Sequence, residues 1–194
     1  MNQEFSVLLF YKYVRINNPE EVRDIQRALC DKLSLKGRLI VALEGLNVTL
    51  EGTKENVEEY IEELEKDPRF LNIHFKRSFG TGDAFRKLSV KARKEIVSLH
   101  LENDINPNEI TGKHLKPEEL KQWYEEGKEF YVIDMRNDYE AEIGRFRNAV
   151  TLPMRNFRDL PDHMSDLQKY EGRTVVTYCT GGIRCEKASA LLKE

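Results

Sequence analysis

Apolar runs in the order βαββαβ over residues 1–77, a glycine-containing basic stretch over 78–94, and strands spaced by helical segments from residue 95 onward predict an α+β part followed by an α/β part. The first order is that of a ferredoxin-like split βαβ domain. The second is that of a mainly parallel sheet, whose sites lie outside the carboxyl ends of its strands. At 194 residues the chain has room for two small domains with enough core to fold without disulfide staples.

The run FSVLLFYKYV, residues 5–14, is too densely apolar for an exposed edge and predicts a central strand. Asn18, Pro19 and Glu21 supply an N-cap, a first-turn proline and a capping-box acid. The helix they start is expected to turn Val22, Ile25, Leu29 and Leu33 inward and to end at Gly37, with Cys30 in the core. Residues 39–42 and 47–50 predict two short strands joined through Glu44-Gly45-Leu46. Thr53 caps a second helix that buries Val57, Ile61 and Leu64, while Glu58, Glu59, Glu62, Glu63 and Glu65 form a solvated face. Residues 73–76 predict the last strand of this part.

A net charge of -3 argues against general coating of nucleic acid, yet it hides a local asymmetry. Between residues 76 and 94, seven basic side chains (Lys76, Arg77, Arg86, Lys87, Lys91, Arg93 and Lys94) face only Asp83, which suits a polyanionic partner. The Gly80-Thr81-Gly82-Asp83 stretch inside this expected linker has neither the strand-to-helix setting nor the Gly-Lys-Thr of a phosphate loop. A second basic group, Arg145, Arg147, Arg155 and Arg158, has no acid between its ends.

In the second part, residues 95–101 predict a short strand, and Lys116-Pro117 opens a helix running through Trp123 and Tyr124 to Gly127. Strands follow at 130–133, 149–152 and 175–178. Asp134 and Arg136 end the first and Cys179 ends the last, so two strand ends converge on one crevice.

Cys179 stands where a β-branched strand gives way to Thr-Gly-Gly-Ile-Arg and then to a helix. Backbone N–H groups and the positive end of a helix at such a turn favour an anion. A thiolate is one: its pKa falls from about 8.5 toward about 4 to 7 in such a setting. Arg184 adds a fixed positive charge, and Cys185 in the first helical turn is either packing or a resolving thiol. Four residues separate Cys179 from Arg184, one fewer than a phosphate-sized cysteine cradle uses, which favours a smaller guest such as a sulfur atom. His74, His100, His114 and His163 stand in no recognisable relation to Cys179, nor at zinc spacing to the cysteines, so neither a thiol-protease base nor a bound metal is expected. Three cysteines at unhelpful spacings for disulfides and no opening signal segment suggest a reducing cytoplasm, and no apolar run is long enough for a bilayer.

The loop TYCTGGIRCEKAS, with IDMRNDYEAEIGRF and NAVTLP upstream, resembles the active-site loop and the Asp-x-Arg, Glu and Gly segments of rhodanese domains. With Ala42-Leu43-Glu44-Gly45-Leu46-Asn47 added, the set resembles the rhodanese-domain tRNA uridine(34) hydroxylases over nearly the whole chain. The resemblance implies a ferredoxin-like domain over 1–77, a basic linker over 78–94, and a rhodanese-like domain over 95–194 that is incomplete at its C-terminal end, since the family pattern continues with another strand and a cysteine-containing tail. It implies oxygen-dependent hydroxylation of the wobble uridine at C5, with Cys179 catalytic and Thr180, Gly181, Gly182, Ile183, Arg184 and Cys185 forming its cradle. On this resemblance Asp134 and Arg136 would support that loop beyond closing the strand end as an ion pair, molecular oxygen would be the co-substrate, and no metal or organic cofactor is expected. The partner it implies is the tRNA anticodon loop, with the seven basic residues from Lys76 to Lys94 as candidate phosphate contacts and no membrane involved. The alternatives are a rhodanese-type sulfurtransferase working through a Cys179 persulfide and a non-catalytic RNA-binding adaptor.

Overall fold

The computed structural model describes residues 4–101 and 105–193. The chain divides into two units, Met1–Val97 and Ser98–Glu194.

In the first unit the predicted central strand is β1, Phe5–Tyr13. Helix α1, Pro19–Lys32, begins as expected: the Asn18 side chain accepts from the Glu21 N–H at 3.3 Å and Pro19 opens the first turn. Its buried face differs from the apolar reading. Val22, Gln26 and Cys30 are buried, whereas Ile25 is 56% exposed. Gln26 takes the place expected for an aliphatic side chain because its Oε1 accepts from the buried Tyr60 hydroxyl at 2.6 Å, satisfying both polar groups. The helix ends before the left-handed Ser34, and Gly37 lies within the next strand instead of capping it.

Strands β2, Lys36–Ala42, and β3, Gly45–Thr53, form a hairpin through Leu43 and Glu44. Gly45 is required there. Its φ is +141°, and a Cβ would run into the Lys12 carbonyl of β1. The Thr53 hydroxyl accepts from the Asn56 N–H at 3.2 Å to start α2, Lys54–Leu64, which buries Val57, Tyr60, Ile61 and Leu64. Both helices supply buried side chains to one core with Leu8, Phe10, Leu39, Val41, Val48 and Leu50 from the sheet.

The stretch expected to be a linker carries sheet. Strand β4 is Lys76–Gly80, starting where the predicted 73–76 strand was to end, and β5 is Leu88–Ala92. The sheet order is β4-β1-β3-β2-β5, with β5 parallel to β2. Both are edge strands. In β4 four of five side chains are exposed and in β5 only Val90 is buried, so neither has the apolar alternation by which strands are recognised. Residues 95–101 are irregular, not the expected strand. Ile96 is buried, with its N–H given to Glu44 Oε1 at 2.6 Å and its carbonyl accepting from Asn47 Nδ2 at 2.9 Å, which occupies the groups a ladder would use.

The second unit holds α3, Pro117–Glu125; β6, Tyr131–Asp134; α4, Asp138–Ile143; β7, Val150–Thr151; the short α5, Met164–Leu167; β8, Val175–Tyr178; and α6, Ile183–Leu191. The three strands lie in the order β7-β6-β8, all parallel, so their carboxyl ends point the same way. Its buried apolar residues include Val132, Ile133, Met135, Leu152, Met154, Phe157, Leu160, Leu167, Ala188 and Ala190. Among the described residues of either unit no helix is long and apolar enough to cross a membrane.

Candidate active site

The parallel register pairs Asp134 of β6 with Tyr178 of β8, so the residues that follow them, Arg136 and Cys179, leave the same end of the sheet. The Asp134 carboxylate is buried and accepts from Arg136 through its backbone N–H at 3.0 Å, Nε at 2.9 Å and Nη2 at 2.7 Å. The Tyr178 hydroxyl donates to the same carboxylate. Burial alone would raise the Asp134 pKa, but these hydrogen bonds prevail and hold the carboxyl below its ordinary range. Burial and Asp134 together push the Tyr178 phenol up. Arg136 Nη2 also donates to the Gly144 carbonyl at 2.7 Å, so this guanidinium braces the strand ends and the turn after α4.

Past Tyr178 the chain turns through Cys179–Gly182 into α6. Gly182 has φ +96°, a backbone few side chains tolerate, and this turns its N–H onto Cys179 Sγ at 3.0 Å. Cys185, in the first turn of the helix, has its backbone N–H on the Gly182 carbonyl at 2.9 Å, and as a neighbouring donor it is the largest cause lowering the Cys179 thiol. Cys185, the Arg184 charge and the Gly182 N–H together outweigh burial and bring the Cys179 thiol down to about 5. Cys185 moves the opposite way: donating to a thiolate and being buried, it holds its proton far above the ordinary range. The two sulfurs thus titrate as a pair, with the first proton lost well below the ordinary thiol range and the second held well above it. Cys30 is a third case, pushed up to about 12 chiefly by burial in the first unit.

Arg184 faces two anions. Its Nη1 and Nη2 grip the Glu140 carboxylate at 2.7 and 2.9 Å, and its charge also acts on Cys179. Glu140, on α4, accepts from the Thr180 hydroxyl at 2.7 Å as well, and Arg184 is the first cause of its pKa falling to about 2. Thus α4 clamps the loop at both Thr180 and Arg184.

Of the residues singled out in the sequence, Cys179, Thr180, Gly182, Arg184 and Cys185 converge, with Ile183 opening α6. Asp134 and Arg136 form the adjoining cluster that holds Tyr178, the residue before the sulfur. His114 is engaged by Glu186 at 2.9 Å and His163 by Asp166 at 3.2 Å. Glu140 and Tyr178 were not foreseen. A signal for Glu140 exists: Asn137-x-x-Glu140 is a capping-box pattern, and the Asn137 N–H does donate to Glu140 Oε2 at 3.1 Å. No group of three or more His, Cys, Asp or Glu suited to a metal ion occurs among the described residues.

The seven basic residues all lie in the first unit and are exposed, but not as one patch. Lys76 and Arg77 are on β4 and Lys91 on β5, the opposite edges of a five-stranded sheet, roughly 19 Å apart at ordinary strand spacing. Arg77 is held by Glu58 through Nε at 2.9 Å and Nη2 at 3.0 Å. Arg86 and Lys87 lead into β5, and Arg93 and Lys94 follow it. The glycine stretch between the edges does form a nest of N–H groups, and its occupant is the chain's own buried Glu51. Thr81 and Gly82 donate to Oε1 at 2.9 Å each and Ala84 to Oε2 at 2.8 Å.

Residues 5–96 match the model of the UPF0176 acylphosphatase-like domain, and residues 116–194 match that of the rhodanese-like domain. A Bacillus licheniformis protein named tRNA uridine(34) hydroxylase is 46% identical over 195 residues, covering 100% of this chain and 60% of that protein. Proteins of the same name from Bacillus thuringiensis and Staphylococcus carnosus are each 48% identical, over 97% and 98% of this chain and 59% and 61% of theirs. The chain thus spans about 60% of the length of these curated relatives.

Proposed function

The chain belongs to the family that joins a UPF0176 acylphosphatase-like domain to a rhodanese-like domain, with relatives named tRNA uridine(34) hydroxylase, and on that premise we propose that it takes part in hydroxylating the wobble uridine of tRNA at C5. The observation that carries the proposal is the setting of Cys179: the Gly182 N–H points at Sγ from 3.0 Å, and with Cys185 and the Arg184 charge it draws the thiol toward its thiolate form, which suits it to act as a nucleophile without a separate base. Such a sulfur is suited to conjugate addition. Sγ bonds to C6 of the uracil, the C5–C6 π pair moves toward C5 and O4, and C5 becomes electron-rich. Molecular oxygen is the co-substrate: one atom goes to C5, and the other leaves as water with two electrons from an external thiol reductant. Loss of the C5 proton and expulsion of the Cys179 thiolate restore the ring. Asp134, Arg136 and Glu140 act through position, fixing Tyr178, Thr180 and Arg184 around the sulfur.

A second reading rests on the same loop. The Gly182 N–H aimed at Sγ would equally hold a persulfide, which is the intermediate of a sulfurtransferase. Mass spectrometry of tRNA from cells lacking the gene separates the two: loss of 5-hydroxyuridine derivatives supports hydroxylation, and loss of thiolated uridine supports sulfur transfer. A covalent Cys179 adduct with RNA containing a trapping uridine analogue supports the addition step, and normal hydroxylation by Cys179→Ser would remove it.

A further inference from the structure

Residues 142–148 are exposed without interruption, yet this run and the helix before it set three large apolar side chains in solvent: Tyr139, 56% exposed, Ile143, 89%, and Phe146, 44%. Large apolar side chains left in solvent within one short stretch of chain are the kind of exposure that recognition surfaces use. Its place is defined by the site. Tyr139 and Ile143 are one turn apart on α4 and so share a face, while Glu140 on the same helix reaches Thr180 and Arg184 of the reactive loop. Phe146 packs edge-on against Tyr178 with ring centroids 4.8 Å apart, and Tyr178 directly precedes Cys179. The surface is also held in shape: Asn137 Nδ2 donates to the Tyr139 hydroxyl at 3.0 Å, and the Gly144 carbonyl between Ile143 and Phe146 accepts from Arg136.

We propose that Tyr139, Ile143 and Phe146 form a stacking lip for unpaired nucleobases flanking the base that reaches Cys179. This rests on the tRNA reading above. Single-stranded RNA is recognised where splayed bases lie on aromatic and apolar faces beside cations, and every base has such a face to offer. The run supplies both, because Arg145 and Arg147 alternate with Phe146 and all three are exposed. A protein partner would call for a continuous apolar patch, whereas interleaved rings and guanidinium groups suit a chain of bases and phosphates.

The test compares, at one fixed salt concentration, binding of the chain to a short hairpin RNA with a uridine-containing loop and to a blunt duplex of the same composition. Wild type is expected to prefer the hairpin. Tyr139→Ala and Phe146→Ala should each weaken hairpin binding by about five- to a hundredfold, the range for losing one base stack, and Ile143→Ser less, with duplex affinity unchanged. The alkylation rate of Cys179 serves as a check on the site. If Phe146→Ala changes that rate, Tyr139→Ala and Ile143→Ser, on the open face of α4, decide. A hairpin-selective wild type whose variants bind the hairpin equally well overturns the lip and leaves the RNA reading standing. A wild type that binds neither RNA overturns both.

Discussion

Replacing Cys185 by alanine removes the largest single influence on the Cys179 thiolate and leaves the Gly182 N–H and Arg184 in place. A hydrogen bond to a charged acceptor contributes about 1.5–3 kcal/mol, which at 1.36 kcal/mol per unit is about one to two units of pKa. The thiolate form loses a donor, so the midpoint rises, from about 5 toward about 6 to 7. The assay is the rate of iodoacetamide alkylation against pH, with the modified peptide identified by mass spectrometry. It is clean for a structural reason: burial pushes Cys30 up to about 12 and Cys185 is raised further, so neither competes below neutral pH. Wild type should alkylate at its full rate by about pH 7, and Cys185→Ala should still be climbing there. Cys185→Ser, which restores a donor, should recover part of the shift. A Cys185→Ala profile superimposable on wild type would refute the account of how this thiolate is held.

Glu140→Gln should destabilise the second unit by about 1–2 kcal/mol at pH 7, judged from a carboxyl brought from 4.5 to about 2 chiefly by Arg184, with Thr180 and the Asn137 N–H adding, and reduced for solvent screening of a partly exposed pair. Because the folded pKa is the lower one, that contribution is full above about pH 4.5 and disappears as pH falls through about 2, so urea titrations of the two proteins should converge in acid. Glu51→Ala leaves three loop N–H groups without their acceptor; it should cost the first unit about 2–4 kcal/mol and speed amide exchange at Thr81, Gly82 and Ala84. Gly45→Ala should prevent the first unit from folding, as seen by loss of cooperative unfolding, since the new Cβ meets the Lys12 carbonyl. Arg86, Lys87 and Lys91 replaced together by alanine should weaken RNA binding and lower its salt slope by about 0.7–0.9 per lost phosphate contact, while Arg77→Ala, its guanidinium already engaged by Glu58, should change neither.

What the sequence made legible was whatever apolar spacing or a cap encodes. Thr53 read as an N-cap is one, and residues 175–178 read as the strand before the cysteine are another; both stand as predicted. The misreadings share a cause. β4 and β5 are edge strands whose side chains meet water, so nothing in KRSFG or LSVKA distinguishes them from a linker. Gln26 displaces Ile25 from the core through one hydroxyl on another helix, a pairing that no periodicity contains. The nest at 81–84 depends likewise on Glu51, thirty residues earlier. At the site, a local turn can be inferred around Cys179, but the grip of Glu140 on Arg184 spans 44 positions and exists only after the parallel sheet has formed.

The donors around Cys179 also bear on how a cycle would end. A thiol that ionises easily is, for the same reason, a good leaving group, and expulsion from carbon is attack run backwards. In the proposed adduct the sulfur is neutral, and the Gly182 and Cys185 donors bind it weakly; they regain their full strength only when the carbon–sulfur bond breaks. The loop would thus favour release over retention, so that the adduct is short-lived with ordinary uridine and accumulates only where the base has been altered to block its departure.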